Sequence, residues 1–149
     1  MLSDKSAAFF LAALCSLLYF TSYLSRYTLS VCISEIDRLD LLSKENLGVA
    51  TMLLFISYGA GQVLSGLLGD KFPPQYVVCI GLIGAALSNL AVPFLITIPA
   101  AVAAIWFFHG LCQSMFWPPI VKILATSVPS QYYGSSSLSV SIASHAASR

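Results

Sequence analysis

Charged side chains are scarce in this sequence. Only 9% of its 149 residues are Asp, Glu, Lys or Arg, against roughly 25% in a typical soluble domain. That is too few to coat a water-facing surface. The 58% hydrophobic content and a mean hydropathy of +0.85 exclude a disordered chain as well. Seven basic and six acidic residues leave a formal charge of +1, so there is no basic stripe and nucleic acid is not an expected partner. The four cysteines, Cys15, Cys32, Cys79 and Cys112, lie in apolar stretches and form no C-x-x-C pair. Metal and redox chemistry therefore find no support, and the thiols read as small buried hydrophobes. No nucleophile, metal or cofactor motif appears, so neither an enzyme nor a cofactor is expected.

What the sequence has instead is long uncharged runs. The charges leave intervals 6–25, 27–34, 46–69, 72–121 and 123–148 free. A bilayer core about 30 Å thick takes about 20 apolar residues in a helix. The interval 46–69 fits one span. The interval 72–121 is too long for one and contains Pro93 and Pro99, so it reads as two spans joined by a short turn. The expected fold is an all-α membrane helix bundle, with helices at about 6–34, 46–68, 75–97 and 100–122 and a fifth from about 134.

The first of these spans holds Arg26. A central arginine costs about 2.5–3.5 kcal/mol to insert, and each Leu, Ile, Phe or Val offsets about 0.3–0.6. Phe9, Phe10, Leu11, Leu14, Leu17, Leu18, Phe20 and Leu24, with Leu29, Val31 and Ile33 beyond, together offset roughly 3–7 kcal/mol. One long helix can carry the arginine into the membrane. A cleaved signal is disfavoured because the apolar pattern persists to Ile33, well past a usual signal core. Lys5, Lys71 and Lys122 fall on one side of the membrane, and Arg38 and Lys44 on the other. By the positive-inside rule that narrow majority points to a cytoplasmic N-terminus, with loop 35–45 outside.

Small residues recur every fourth position in the second span, at Ser57, Gly61, Ser65 and Gly69, and again in the third at Gly81, Gly84, Ala85 and Ser88. Such stripes let helix backbones approach closely. Two readings stand: tight bundle packing, or a moving helix interface. Polar residues inside the spans form three further lines: Tyr19, Tyr23 and Arg26; Tyr58 and Gln62; His109, Gln113 and Trp117. Each line runs at helical spacing along one face. No Asp or Glu lies inside any span, although a cation or proton relay would normally call for one. A buried guanidinium beside tyrosines suits an oxyanion, because its donors match phosphate or carboxylate geometry. Snorkelling of Arg26 to the headgroups, or a structural pair, are the alternatives. Trp117-Pro118-Pro119 should bend the fourth span. Lys122 beyond it reads as a helix end at the interface, and the aromatic–basic pair fits interfacial anchoring as well as a substrate role.

Three motifs resemble the N-terminal part of the major facilitator superfamily. They are Tyr23-Leu24-Ser25-Arg26, Gly66-Leu67-Leu68-Gly69-Asp70-Lys71, and Gly110-Leu111-Cys112-Gln113-Ser114-Met115-Phe116-Trp117-Pro118-Pro119. The second is similar to the superfamily's signature loop. The first and third together resemble its organophosphate:phosphate antiporters, which include glycerol-3-phosphate and hexose-phosphate transporters. The resemblance implies a partial N-terminal half of a twelve-helix transporter at the plasma membrane, of bacterial inner-membrane type. It also implies a substrate that is an organic anion exchanged for inorganic phosphate. It assigns Arg26 to phosphate binding, Tyr19, Tyr23 and Tyr58 to the cavity wall, His145 to the substrate's vicinity, and Gly66, Asp70 and Lys71 to a cytoplasmic gating loop. With the polar lines, the candidate binding set becomes Arg26, Tyr19, Tyr23, Tyr58, Gln62, Gln113, Trp117 and His145.

Two departures bear on substrate. Glycerol-3-phosphate-type members carry lysine where this chain has Tyr27 and Gln62, so a carboxylate remains an alternative to a phosphate ester. The resemblance reaches only helix five. The expectation is a fragment or truncation that needs the missing C-terminal half as partner and does not transport alone. A ligand-binding sensor of the same family, or a small multispan protein whose polar lines serve helix association, are the other readings.

Overall fold

The structure, a computed structural model, describes the backbone of residues 5–147 and the side chains of residues 6–142. All regular elements among the described residues are helices: α1 (Lys5–Arg38), α2 (Lys44–Lys71), α3 (Pro74–Leu95), α4 (Pro99–Ser114), α5 (Trp117–Ser127) and α6 (Ser130–Ala147). Four stretches are long and apolar enough to cross a membrane: Ser6–Arg38, Lys44–Lys71, Pro74–Leu95, and α4 with α5 as Pro99–Ser127.

Helix ends follow local chemistry. The first helix was expected to stop near residue 34, but α1 continues to Arg38. There Asp40 adopts a left-handed conformation (φ 54°). Leu41 N–H then reaches back to the Ile36 carbonyl and Asp40 N–H to that of Asp37, each at 3.1 Å. This is the Schellman stop, which satisfies the last carbonyls, and Leu41 packs in the same cluster as Ile36. Ser43 caps α2 by accepting from the Asn46 backbone N–H. Prolines open α3, α4 and α5 at the first or second helical position, where the missing N–H is not needed.

The span expected at 100–122 is divided in two. Pro118 and Pro119 cannot donate to the carbonyls of Ser114 and Met115, and their rings crowd those same carbonyls. The chain accordingly leaves the α-helical path at Met115 (ψ 9°) and re-enters a helix at Trp117. Lys122, expected at a helix end, lies within α5 and reaches α2: Nζ donates to the Gly69 carbonyl at 2.7 Å and pairs with Asp70 at 3.1 Å. The expected fifth span corresponds to α6, which starts at Ser130, four residues earlier than expected.

The small-residue stripes sit in contacts. Ser57, Gly61, Ser65 and Gly69 are all buried, and α2 packs most extensively on α4. A Cβ on Gly110 would strike the Leu54 backbone and Ser57 Oγ, and one on Gly61 would strike Ser114. On its other side α4 takes α3, where a Cβ on Gly81 would lie 2.9 Å from the Cys112 carbonyl oxygen. In lipid, where apolar burial drives little helix association, such backbone approach supplies it by van der Waals contact. Outer faces carry exposed Phe9, Val31, Val63, Ile83 and Phe94, apolar surface suited to lipid.

Two apolar clusters fill the bundle. One gathers Ala8, Cys15, Tyr19, Phe116, Ile120 and Val140. The other gathers Leu29, Leu47, Leu54, Val102 and Trp106. Between the parts of α1 that feed them lie residues 22–26, and there the interior turns polar.

Candidate functional site

Arg26 sits on this polar segment of α1, half-buried. Its guanidinium carbon lies 4.3 Å from the centre of the Tyr58 ring and 5.0 Å from that of Tyr23. Both are cation–π distances. Tyr23 is one helical turn before Arg26, while Tyr58 is brought in by α2. The buried Arg26 Nε has no hydrogen-bond partner among the described residues. A guanidinium held by ring faces keeps its in-plane donors for another ligand.

The aromatic wall extends from there. Tyr19 meets Tyr23 edge-on at 5.1 Å between ring centres, and Trp117 at 5.3 Å. Tyr27 joins Tyr23 at 6.5 Å. The break before α5 places Trp117 against α1. Tyr19, Tyr23, Tyr58, Trp117 and Arg26 thus form one connected group drawn from α1, α2 and α5. Gln62 follows Tyr58 by one turn of α2 and is half-buried.

Gln113 lies elsewhere. It is 2% exposed, and its amide nitrogen donates to the Ser22 carbonyl at 2.8 Å and to Ser25 Oγ at 3.3 Å. His109 Nε2 is 3.2 Å from the same nitrogen. Asn89 of α3 donates to Ser25 Oγ at 3.1 Å and to the Ser25 carbonyl at 3.3 Å. The Gln113 amide nitrogen is therefore occupied inside the bundle, behind the α1 segment that carries Arg26, while its Oε1 has no hydrogen-bond partner among the described residues. This polar group includes Ser22, Ser25, Asn89 and His109, none of which was in the candidate set. A polar amide inside an uncharged span, and serines one and four residues before the arginine, were the signals available. His145 falls in α6, but its side chain lies outside the described ones.

The motif of Gly66, Asp70 and Lys71 occupies the last turns of α2, so only Phe72 and Pro73 form the connection to α3. Asp70 and Lys71 are exposed. Asp70 is joined to α5 through Lys122, and an added Cβ on Gly66 would meet nothing within 4 Å.

Membrane-length helices closed on small residues, with an arginine and a tyrosine wall in their interior, define a multi-pass helical membrane protein. The chain belongs to the Major Facilitator Superfamily, whose family model matches residues 15–147. Among curated relatives it is similar to a protein of Chlamydia trachomatis named "Probable hexose phosphate transport protein", 31% identical over 106 residues. It is also similar to the "Membrane sensor protein UhpC" of Escherichia coli, 26% identical over 106 residues. A third is the "Glycerol-3-phosphate transporter" of Bacillus subtilis, 28% identical over 86 residues. The matches cover 71%, 71% and 56% of this chain but 22%, 24% and 19% of those proteins. The chain thus spans about a fifth to a quarter of the length of these relatives. No solved structure matches.

Proposed function

We propose that this chain supplies one wall of the substrate site of a transporter for an organic anion, a sugar phosphate or glycerol phosphate, exchanged for inorganic phosphate. The observation that carries the reading is Arg26: a half-buried guanidinium over two tyrosine rings, whose Nε has no hydrogen-bond partner among the described residues. A phosphate oxygen accepts from such a group more strongly than a neutral acceptor would. Tyr19, Tyr23, Tyr58 and Trp117 form the wall beside it, and Gln62 and His145 are proposed ligand contacts. Gly66, Asp70 and Lys71 belong to a gating element on the cytoplasmic face, with the N-terminus on that face and the protein in the plasma membrane. The relatives named for hexose phosphate and glycerol-3-phosphate support the phosphate-ester class.

In this fold a site lies between two helix bundles near the midplane, and transport is one bundle rocking against the other. The proposed partner is therefore a second bundle, with ligand binding as this chain's share. The similarity to a membrane sensor favours a second reading, in which the same site binds ligand to signal.

Equilibrium dialysis of the chain in lipid nanodiscs against inorganic phosphate, glucose 6-phosphate, glycerol 3-phosphate and succinate tests the site. The three phosphates should bind saturably, and Arg26→Gln should weaken them at least about tenfold, the loss of a charge-assisted bond worth about 1.5–3 kcal/mol. Saturable succinate binding without phosphate binding would overturn the substrate class.

A further inference from the structure

The polar group behind Arg26 makes a connected set of bonds onto one short stretch of α1. Gln113 donates to the Ser22 carbonyl. In the α-helical ladder that carbonyl is also the acceptor of the Arg26 backbone N–H. Asn89 donates to the Ser25 carbonyl and hydroxyl, one residue before the arginine. Amides from α4 and α3 thus grip α1 on two carbonyls within one turn of Arg26 in this polar layer, where the two apolar clusters leave it.

His109 orders the Gln113 amide. The Gln113 NH2 has two protons, and one is committed to the Ser22 carbonyl at 2.8 Å. The other points to Ser25 Oγ and His109 Nε2, at 3.3 and 3.2 Å. Nε2 accepts when this proton turns to it, and the imidazole proton then sits on Nδ1, a buried nitrogen with no hydrogen-bond partner among the described residues. The ring is fully buried and stacked on Trp106 at 4.9 Å with 9° between planes, so its plane is fixed. The Ser22 carbonyl makes the Gln113 amide present nitrogen, not oxygen, to α1, and an acceptor at Nε2 holds its second proton.

We propose that His109 and Gln113, with Asn89, are positioning residues: they never touch the ligand and act by fixing the α1 backbone that aims Arg26 between Tyr23 and Tyr58. The idea rests on the reading of Arg26 as the oxyanion-binding group. A bland packing role would need only volume at these positions, whereas positioning needs hydrogen bonds of a stated direction. His109→Gln keeps an acceptor near the Nε2 position, and His109→Leu fills space without one. Gln113→Met keeps length and volume but donates nothing.

The test uses the full chain in nanodiscs with 15Nε-labelled arginine. The Arg26 Nε–Hε signal is assigned by its loss in Arg26→Gln. Without ligand, Gln113→Met and His109→Leu should shift or broaden this signal, and His109→Gln should restore it. Inorganic phosphate should bind about tenfold more weakly to the first two variants, as expected when a binding group is displaced by a fraction of an ångström. His109→Gln should stay within about twofold of the parent. An Arg26 signal unchanged in Gln113→Met and His109→Leu, or equal loss in His109→Gln and His109→Leu, overturns the proposal. If the parent chain binds no phosphate, the anion reading fails, and the ligand-free signal alone still decides the positioning role.

Discussion

Arg26 owes its setting to residues from two helices. Tyr23 shares its face of α1, and Tyr58 reaches it from α2 at 4.3 Å. Because the contact is to a ring face, Tyr58→Phe should leave phosphate binding within about threefold, while Tyr58→Leu should weaken it roughly 2- to 30-fold, the equivalent of a cation–π contact of about 0.5–2 kcal/mol. Titration by dialysis checks this, and equal losses in both variants would instead assign the role to the hydroxyl. The line of Tyr19, Tyr23 and Arg26 was legible in the sequence because helical spacing alone puts those residues on one face. Spacing along α4 could not tell that Gln113 turns inward while Trp117 faces the tyrosines. Pro118 and Pro119, just beyond Trp117, break the helix at Met115 and Phe116, so a face extrapolated through the break no longer holds.

At the scale of elements, α4 is the middle of the bundle. Gly110 and Gly61 let it reach α2, and Gly81 and Gly84 let it reach α3. Gly110→Ala should therefore destabilise the folded chain by about 1–3 kcal/mol, since the obstacle is the Leu54 backbone and overpacking is the consequence. Gly66→Ala meets open space and should be neutral or up to ~1 kcal/mol stabilising, because alanine is the better helix former. Unfolding in mixed micelles with increasing SDS compares the two, and an equal loss at both positions would contradict the packing assignment. Both glycines sit in motifs read from the sequence, yet only contact with a neighbouring helix separates them. The stripe in α2 was legible for a simple reason: a period of four small residues follows one helix face. The extension of α1 to Arg38 was not, since its stop depends on Asp40 taking a left-handed conformation usually given to glycine.

The whole molecule is a bundle with apolar clusters toward its two ends and a polar layer at residues 22–26 of α1, flanked by Asn89, His109 and Gln113. The scarcity of charge made the membrane class legible, because uncharged runs long enough to span are rare otherwise. Orientation rests on three basic residues against two, a margin that labelling resolves. In a background lacking the native cysteines, Asp40→Cys should react with a membrane-impermeant maleimide in intact cells. Lys71→Cys should react only after permeabilisation, and the reverse pattern would invert the topology.

The central claim is that phosphate is held by Arg26, and a distance tests it most directly. In nanodiscs with inorganic phosphate and 13Cζ-labelled arginine, carbon–phosphorus dipolar dephasing by solid-state NMR should give a separation of ~4 Å, as bidentate N–H···O bonds of 2.7–2.9 Å require. That dephasing should vanish in Arg26→Gln. Phosphate bound with no dephasing, or with dephasing that survives Arg26→Gln, would contradict the account.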